Sequence, residues 1–288
     1  MKRTVALIAA LCAFACSPTP PPIGSGEPAA AIASDDAGAE ADAGSDADAG
    51  ADFDAGSSDA GLDVDRDGLE DSYENRLARD YLPFFSMDPQ DGCPLSGILF
   101  RARPHPKDPN LVFVIYDRLY QRDCGLSGHV GDDEVFSVTI DPRKPFPAGL
   151  TAMKAISHQG TACERVSTCD RCGGSACTFN SAQLPVVFAS KDKHGSYVDT
   201  STCQFSCFDS CTLAANSSVP PMQNAGEPGA PMTNNLSTNG FVTAANGWTE
   251  SSLFDFDPWA AGKEFGTAGV VASDLVDPAF DTPACAAP

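Results

Sequence analysis

The stretch Gly128-His129-Val130-Gly131-Asp132-Asp133-Glu134 leads directly into Val135-Phe136-Ser137-Val138-Thr139-Ile140-Asp141. Side chains alternate between the two faces of a strand, so Phe136, Val138 and Ile140 share a core face, and the same parity runs back to Glu134 and Asp132. Two carboxylates about 7 Å apart on one face of a strand repel each other in a low-dielectric setting. A divalent cation removes that repulsion, and His129 stands just upstream as a neutral ligand. The competing arrangement pairs Glu134 with Arg118 or Arg122. His129, Asp132 and Glu134 are therefore candidate metal ligands, for which calcium or magnesium suits the oxygen donors better than zinc. Ser157-His158-Gln159-Gly160 and Lys193-His194-Gly195 each follow a strand-like run, at 151–156 and 184–189, so His158 and His194 are further candidates for a shared site.

A second constellation is contiguous. Asp63-Val-Asp65-Arg-Asp67-Gly68-Leu69-Glu-Asp71-Ser-Tyr-Glu74 meets the EF-hand loop formula at every specified position. Asp63, Asp65 and Asp67 offer side-chain oxygens, Leu69 its carbonyl, Asp71 the ninth position and Glu74 a bidentate carboxylate. Gly68 allows the sharp turn. Tyr73, Leu77 and Tyr81, spaced four apart, predict a helix that Pro83 closes. One such loop without a partner resembles the single structural calcium loop of thrombospondin type 3 repeats and dockerins rather than a paired sensor.

The elements that must position these groups begin after a long leader. Lys2 and Arg3 precede an apolar run, Thr4 to Phe14, well short of the ~20 residues that span a bilayer. Ala13-Phe14-Ala15 before Cys16 resembles the cleavage site of a bacterial lipoprotein. That likeness makes 1–15 a signal peptide, Cys16 the lipidation site, and the protein a cell-envelope lipoprotein of the outer membrane. Ordinary secretion with Cys16 as an incidental thiol is the alternative. Residues 17–62 carry ten acids, no Lys or Arg and one aromatic, Phe53. Such a segment cannot bury enough apolar surface to offset its ordering entropy, so it is expected to be a disordered, extended tether. Residues 63–82 then form the calcium loop and helix, and 83–288 the main domain, with a Cys-rich insertion at 163–211.

Ten cysteines remain in that folded part: Cys93, Cys124, Cys163, Cys169, Cys172, Cys177, Cys203, Cys207, Cys211 and Cys285. In an exported chain an even number predicts up to five disulfides. Zinc bound by Cys169 and Cys172, or by Cys203, Cys207 and Cys211, is the rival arrangement. The chain holds 39 acids against 18 bases, a net charge of −21, which excludes nucleic acid as a main partner.

Gly-His-x-Gly-Asp-x-Glu, then His-x-Gly, then Pro-Val-Val-x-Ala followed by His-x-x-Tyr, resembles the vacuolar-protein-sorting-associated protein 62 family over roughly residues 75–260. Leu77-Ala-Arg-Asp-Tyr-Leu-Pro83 fits the start of such domains. That family is similar in turn to the necrosis- and ethylene-inducing peptide-like toxins, whose hallmark is Gly-His-Arg-His-Asp-Trp-Glu. The resemblance implies a β-sandwich and a cation bound through His129, Asp132 and Glu134. Asp133 stands where the toxins have Trp, and Gly131 where they have a second His.

The expected fold is thus mainly β: a single β-sandwich domain with a short N-terminal calcium loop-helix and disulfide-rich loops. The expected function is a membrane-anchored, cation-binding module for an unidentified lipid, glycan or protein ligand. A membrane-damaging cytolysin is the first alternative, and a metal-dependent hydrolase the second. No nucleophile elbow, His-Glu-x-x-His helix or phosphate-binding loop is present, so no catalytic residue is assigned. Trp248 and Trp259, with Phe254 and Phe256, are expected to pack in the core rather than form an exposed patch.

Overall fold

The computed structural model describes residues 61–93, 95–126, 128–170, 175–181, 183–204, 207–213, 220–232, 236, 238–243, 248, 257–260, 265, 270–276 and 280. The leader, Cys16, nearly all of the tether, Cys172, Phe254, Phe256 and Cys285 lie outside the described residues. All described residues belong to one compact unit, Gly56–Pro288.

Runs rich in β-branched and aromatic residues build an antiparallel meander of β2 (Leu95–His105), β3 (Asp108–Arg122), β4 (Val130–Ile140), β5 (Leu150–Ser157) and β6 (Arg165–Asp170). β9 (Met222–Asn224) joins parallel to β2, giving a six-stranded sheet of order β6-β5-β4-β3-β2-β9. A second sheet combines β1 (Phe84–Ser86) parallel to β7 (Val186–Ala189), with β8 (Ser196–Tyr197) antiparallel to β7. β10 (Gly226–Glu227) and β11 (Ala230–Pro231) form a short ribbon. The helices are α1 (Asp71–Asp80), α2 (Thr200–Gln204) and α3 (Val271–Val276). The protein is mainly β and sandwich-like.

The large sheet is covered on both faces. On one, Phe136, Val138 and Ile140 pack with Phe100, Tyr116, Leu77 of α1, Phe85 of β1 and Val187 of β7. On the other, Leu99, Phe113, Ile115 and Val135 meet Trp248, Phe265, Leu275 and Phe280 from the carboxy-terminal segment. A strand buried on both faces needs apolar residues at successive positions, which is why Leu111–Ile115 reads as an unbroken run. Trp248 is buried, as the sequence predicts, and lies close to the sheet at Gly97. A β-carbon at Gly97 would come within 2.6 Å of Phe241 Cζ, so the close approach requires glycine. Trp259 is partly buried against the same core and donates its indole N–H to the Ala225 carbonyl (2.7 Å).

Helix α1 follows the predicted pattern, ending ahead of Pro83 with Leu77 and Tyr81 buried and Tyr73 packed alongside. Its Ala78 carbonyl accepts a hydrogen bond from Tyr116 Oη (2.8 Å), which ties it to the sheet.

Among the described residues, four disulfides join Cys93–Cys124, Cys163–Cys207, Cys169–Cys177 and Cys203–Cys211. This removes Cys169, Cys203, Cys207 and Cys211 as zinc thiolates. The Cys-rich stretch 163–211 contributes to both sheets: β6 extends the large sheet, and β7 and β8 make most of the small one. No helix among the described residues is long and apolar enough to cross a membrane.

Candidate metal centre

β4 outruns its neighbour β5. Against β3 its pairs extend to Val130↔Arg122, but against β5 they begin at Phe136↔Ala155. Beside this part of β4, a cleft of about 350 Å³ is lined by Asp123, His129, Asp132, Glu134, His158 and Lys193, and also by Asp133 and Asp274. Four of the five candidate ligands therefore line one cavity, although His158 arrives from the end of β5.

Each group is held in place. His129 Nδ1–H donates to the Gly131 carbonyl (2.7 Å), which leaves Nε2 with the lone pair a cation requires; that nitrogen lies 3.8 Å from Asp123 Oδ2. Glu134 Oε2 accepts the Ser196 amide (3.2 Å). Its carboxyl is pushed well above the usual range, first by burial and then by the charge of Asp132, with Arg118 offsetting part. Arg118 lies opposite Glu134 in the ladder, as the ionic alternative requires. Its guanidinium instead donates to Tyr120 Oη (2.7 Å), the His194 carbonyl (2.6 Å) and Ser196 Oγ (2.6 Å).

His194 stands behind Asp132 rather than in the cleft lining. It is completely buried, stacks on Tyr120 with ring centroids 3.8 Å apart, and bonds Asp132 Oδ2 through Nδ1 (2.6 Å). Nε2 faces Asp91 Oδ1 at 3.3 Å. Burial opposes the imidazolium, but the bonds to Asp132 and Asp91 outweigh it and hold the pKa at about 9. With both nitrogens used by carboxylates, His194 orients Asp132. His158 Nε2 is bonded to Asp209 Oδ2 (2.7 Å), an oxygen that also accepts from Tyr197 Oη, and Lys193 Nζ is 3.9 Å from Asp209 Oδ1.

The loop at 63–74 gathers carboxylates that could hold a metal ion. Gly68 sits at φ +97°, where a β-carbon is disfavoured. Asp63 accepts the amides of Arg66 (2.6 Å) and Gly68 (3.1 Å), Asp67 that of Leu69 (2.7 Å), and Asp71 that of Val64 (2.9 Å). Both oxygens of Asp65, Asp67 Oδ2 and Glu74 Oε1 are buried with no hydrogen-bond partner. Desolvation, followed by mutual repulsion, raises Asp65 to about 7 and Glu74 to about 9; burial raises Asp67 to about 6. Buried oxygens without donors are the mark expected of a site whose charge is balanced by an ion. Glu74 Oε2 accepts from Asn224 Nδ2 (2.9 Å), joining the loop to β9.

Among the described residues, three sets of groups converge to within 4.8 Å: Asp63/Asp65/Asp71, Asp65/Asp67/Glu74 and Asp117/Asp133/Asp274. The first two belong to the sequence-predicted loop. His129, Asp132 and Glu134 share the cleft without converging that closely. The third set was not anticipated, nor were Asp91, Asp123, Asp209 and Lys193. Asp117 did leave a trace, a lone acid inside the apolar run Val112-Phe-Val-Ile-Tyr-Asp117. For Asp209 no local signal exists.

No protein-family model matches the chain, and no curated protein matches it in sequence. Solved structures similar to it include one described as a toxin fold for microbial attack and plant defense, at 14% identity and TM-score 0.33, covering 57% of this chain and 82% of that one. Others are NLPPya in complex with glucosamine, at 14% identity and TM-score 0.31, and with mannosamine, at 13% identity and TM-score 0.31. Each covers 52% of this chain, and 72% and 73% of the neighbour respectively.

Proposed function

We propose that this chain is an envelope-anchored lipoprotein presenting a divalent-cation-binding β-sandwich module for contact with a ligand or surface. Calcium occupies the 63–74 loop and braces the start of the domain against β9. Calcium or magnesium occupies the cleft, with His129, Asp132 and Glu134 as ligands and His158 nearby. The observation that carries the reading is that residues from separate segments, chosen for their donor chemistry, line one acidic cavity. A cation there could bridge protein carboxylates to ligand hydroxyls, and the surrounding acids would welcome an ammonium group. An amino sugar combines both features and is the first probe.

The test uses full chain carrying Cys16→Ser, titrated calorimetrically with calcium and magnesium, then with glucosamine and mannosamine in calcium or in EDTA. The Asp132→Asn/Glu134→Gln variant should lose one ion and any calcium-dependent sugar binding. An unchanged ion count sinks the cleft as a metal centre. Absence of sugar binding with the ion count reduced would redirect the ligand search to lipid headgroups.

A second reading, a membrane-damaging protein, is favoured by two exposed side chains. Leu126 (76% exposed) and Phe208 (91%) flank Lys193, which packs beside Gly125 and donates to the Cys207 carbonyl (3.1 Å). Exposed apolar groups next to residues that contact Lys193, which lines the cleft, suit insertion between lipids. Dye release from liposomes, abolished by Leu126→Ser/Phe208→Ser with ion binding intact, would favour this reading; no release from any lipid mixture would rule it out.

A further inference from the structure

We infer that Asp117, Asp133 and Asp274 form a further divalent-cation site, on the face of the β3–β4 pair opposite Asp132 and Glu134. It would take a hard, oxygen-preferring ion such as calcium, magnesium or manganese. Asp117 pairs with Val135, and Asp133 with Leu119, so the two acids are diagonal neighbours on one face. Asp274 reaches them from α3, far along the chain, and one oxygen of each residue lies within 4.8 Å of the others. Acids in proximity are common, but the surroundings of this set are not. Asp117 is completely buried, and neither of its carboxylate oxygens has a hydrogen-bond partner; Asp133 Oδ2 has none either. Leaving such groups unsatisfied is costly, and leaving them ionised without a counter-charge costs far more.

Among the described residues, no cationic side chain is bonded to Asp117 or to Asp133 Oδ2. The adjacent Arg118 points to the opposite face, where Tyr120, His194 and Ser196 hold its guanidinium. Burial pushes Asp117 far above the carboxylate range, and Arg118 and the nearby Glu134 amide offset only part of that effect. A proton shared by Asp133 and Asp274 would answer only for that pair. It does nothing for the two oxygens of Asp117. A cation satisfies all three residues together, and the donor set, oxygen only, disfavours zinc or copper. Asp133 and Asp274 line the cleft, which gives an ion an entry path and water to complete its coordination. An ion here would also tie α3 to the sheet.

This inference stands apart from the His129 site, and the experiment separates the two. Full chain carrying Cys16→Ser is loaded with calcium, or with manganese as a spectroscopic probe, and bound ions are counted for wild type, Asp274→Asn and Asp132→Asn/Glu134→Gln. Asp274→Asn should hold one ion fewer than wild type, while the Asp132/Glu134 variant keeps that ion. In parallel, calcium at about 100-fold its dissociation constant should slow amide exchange in 271–276 of the wild type by up to about 100-fold. An unchanged count in Asp274→Asn overturns the proposal, as does exchange in 271–276 that ignores calcium. Should Asp274→Asn fail to fold, Asp133→Asn replaces it, and the wild-type exchange result decides.

Discussion

Glu74 and His194 show how single buried groups set the pH response. Without a cation, Glu74 titrates near 9 in the folded protein against an ordinary value of 4.5, so the native state holds a proton that the unfolded chain has lost. Stability of the ion-free protein should therefore fall as pH rises from about 4.5 to 9, with Asp65 and Asp67 adding to the lower part of that window. Calcium in the proposed loop site would bind the ionised carboxylates, so its stabilisation should grow over the same range. Melting temperatures in EDTA and in calcium, read from about pH 5 to 9, check this, and Glu74→Gln should flatten the EDTA slope and lose most of the calcium effect. A melting temperature that rises with pH in EDTA would contradict it. His194 has its pKa raised above 6.5 by two acids, so its contribution is complete below about pH 6.5 and lost as pH climbs through about 9. His194→Gln, which leaves Asp132 and Asp91 without their shared cation, should cost about 3 kcal/mol in chemical denaturation at pH ~6 and less above pH ~9.

Among the elements, disulfides and the carboxy-terminal segment do different work. Cys163–Cys207 closes 44 residues, whereas Cys169–Cys177 closes only 8. On the loop-entropy account, removing the longer link as a double Cys→Ser variant should cost about 1.5 kcal/mol more than removing the shorter one. Guanidinium unfolding of the two variants compares them directly. Trp248 seals the outer face of the sheet against Gly97 and Phe241, and Trp248→Ala should lose about 3–5 kcal/mol. Element type was legible wherever one period dominated. The alternation at 135–141 and the i,i+4 spacing of Leu77 and Tyr81 both matched what formed. Within 163–211 only the run at 184–189, which became β7, was legible; Cys, Gly and Ser interrupt the sequence around β6 and β8 and hide them. The place of these strands is fixed by pairing with distant partners, β7 with β1 and β6 with β5.

For the whole molecule, the charge is divided between the acidic 17–62 segment and the domain that follows it. Of the 39 acids, ten fall in 17–62 and six in the 63–74 loop; residues 63–288 keep 29 acids against 16 bases. If Cys16 carries lipid, Cys16→Ser should move the protein from the membrane to the soluble fraction without altering its ion content. Retention in the membrane fraction would contradict the anchor. The sequence by itself determined what is contiguous: the oxygen donors of the 63–74 loop, whose geometry is a local turn, and the parity that puts Asp132 and Glu134 on the same face as Phe136. It also determined that the cysteines could close on one another. Only the tertiary structure decided what lies across from each face. It brought His158 into the cleft, placed His194 behind Asp132, gave His158 its Asp209, and set Asp274 against Asp117 and Asp133. Parity fixes the direction of a side chain along its own strand, but its neighbours come from segments many residues away. With both faces of the sheet buried, that choice is made by packing.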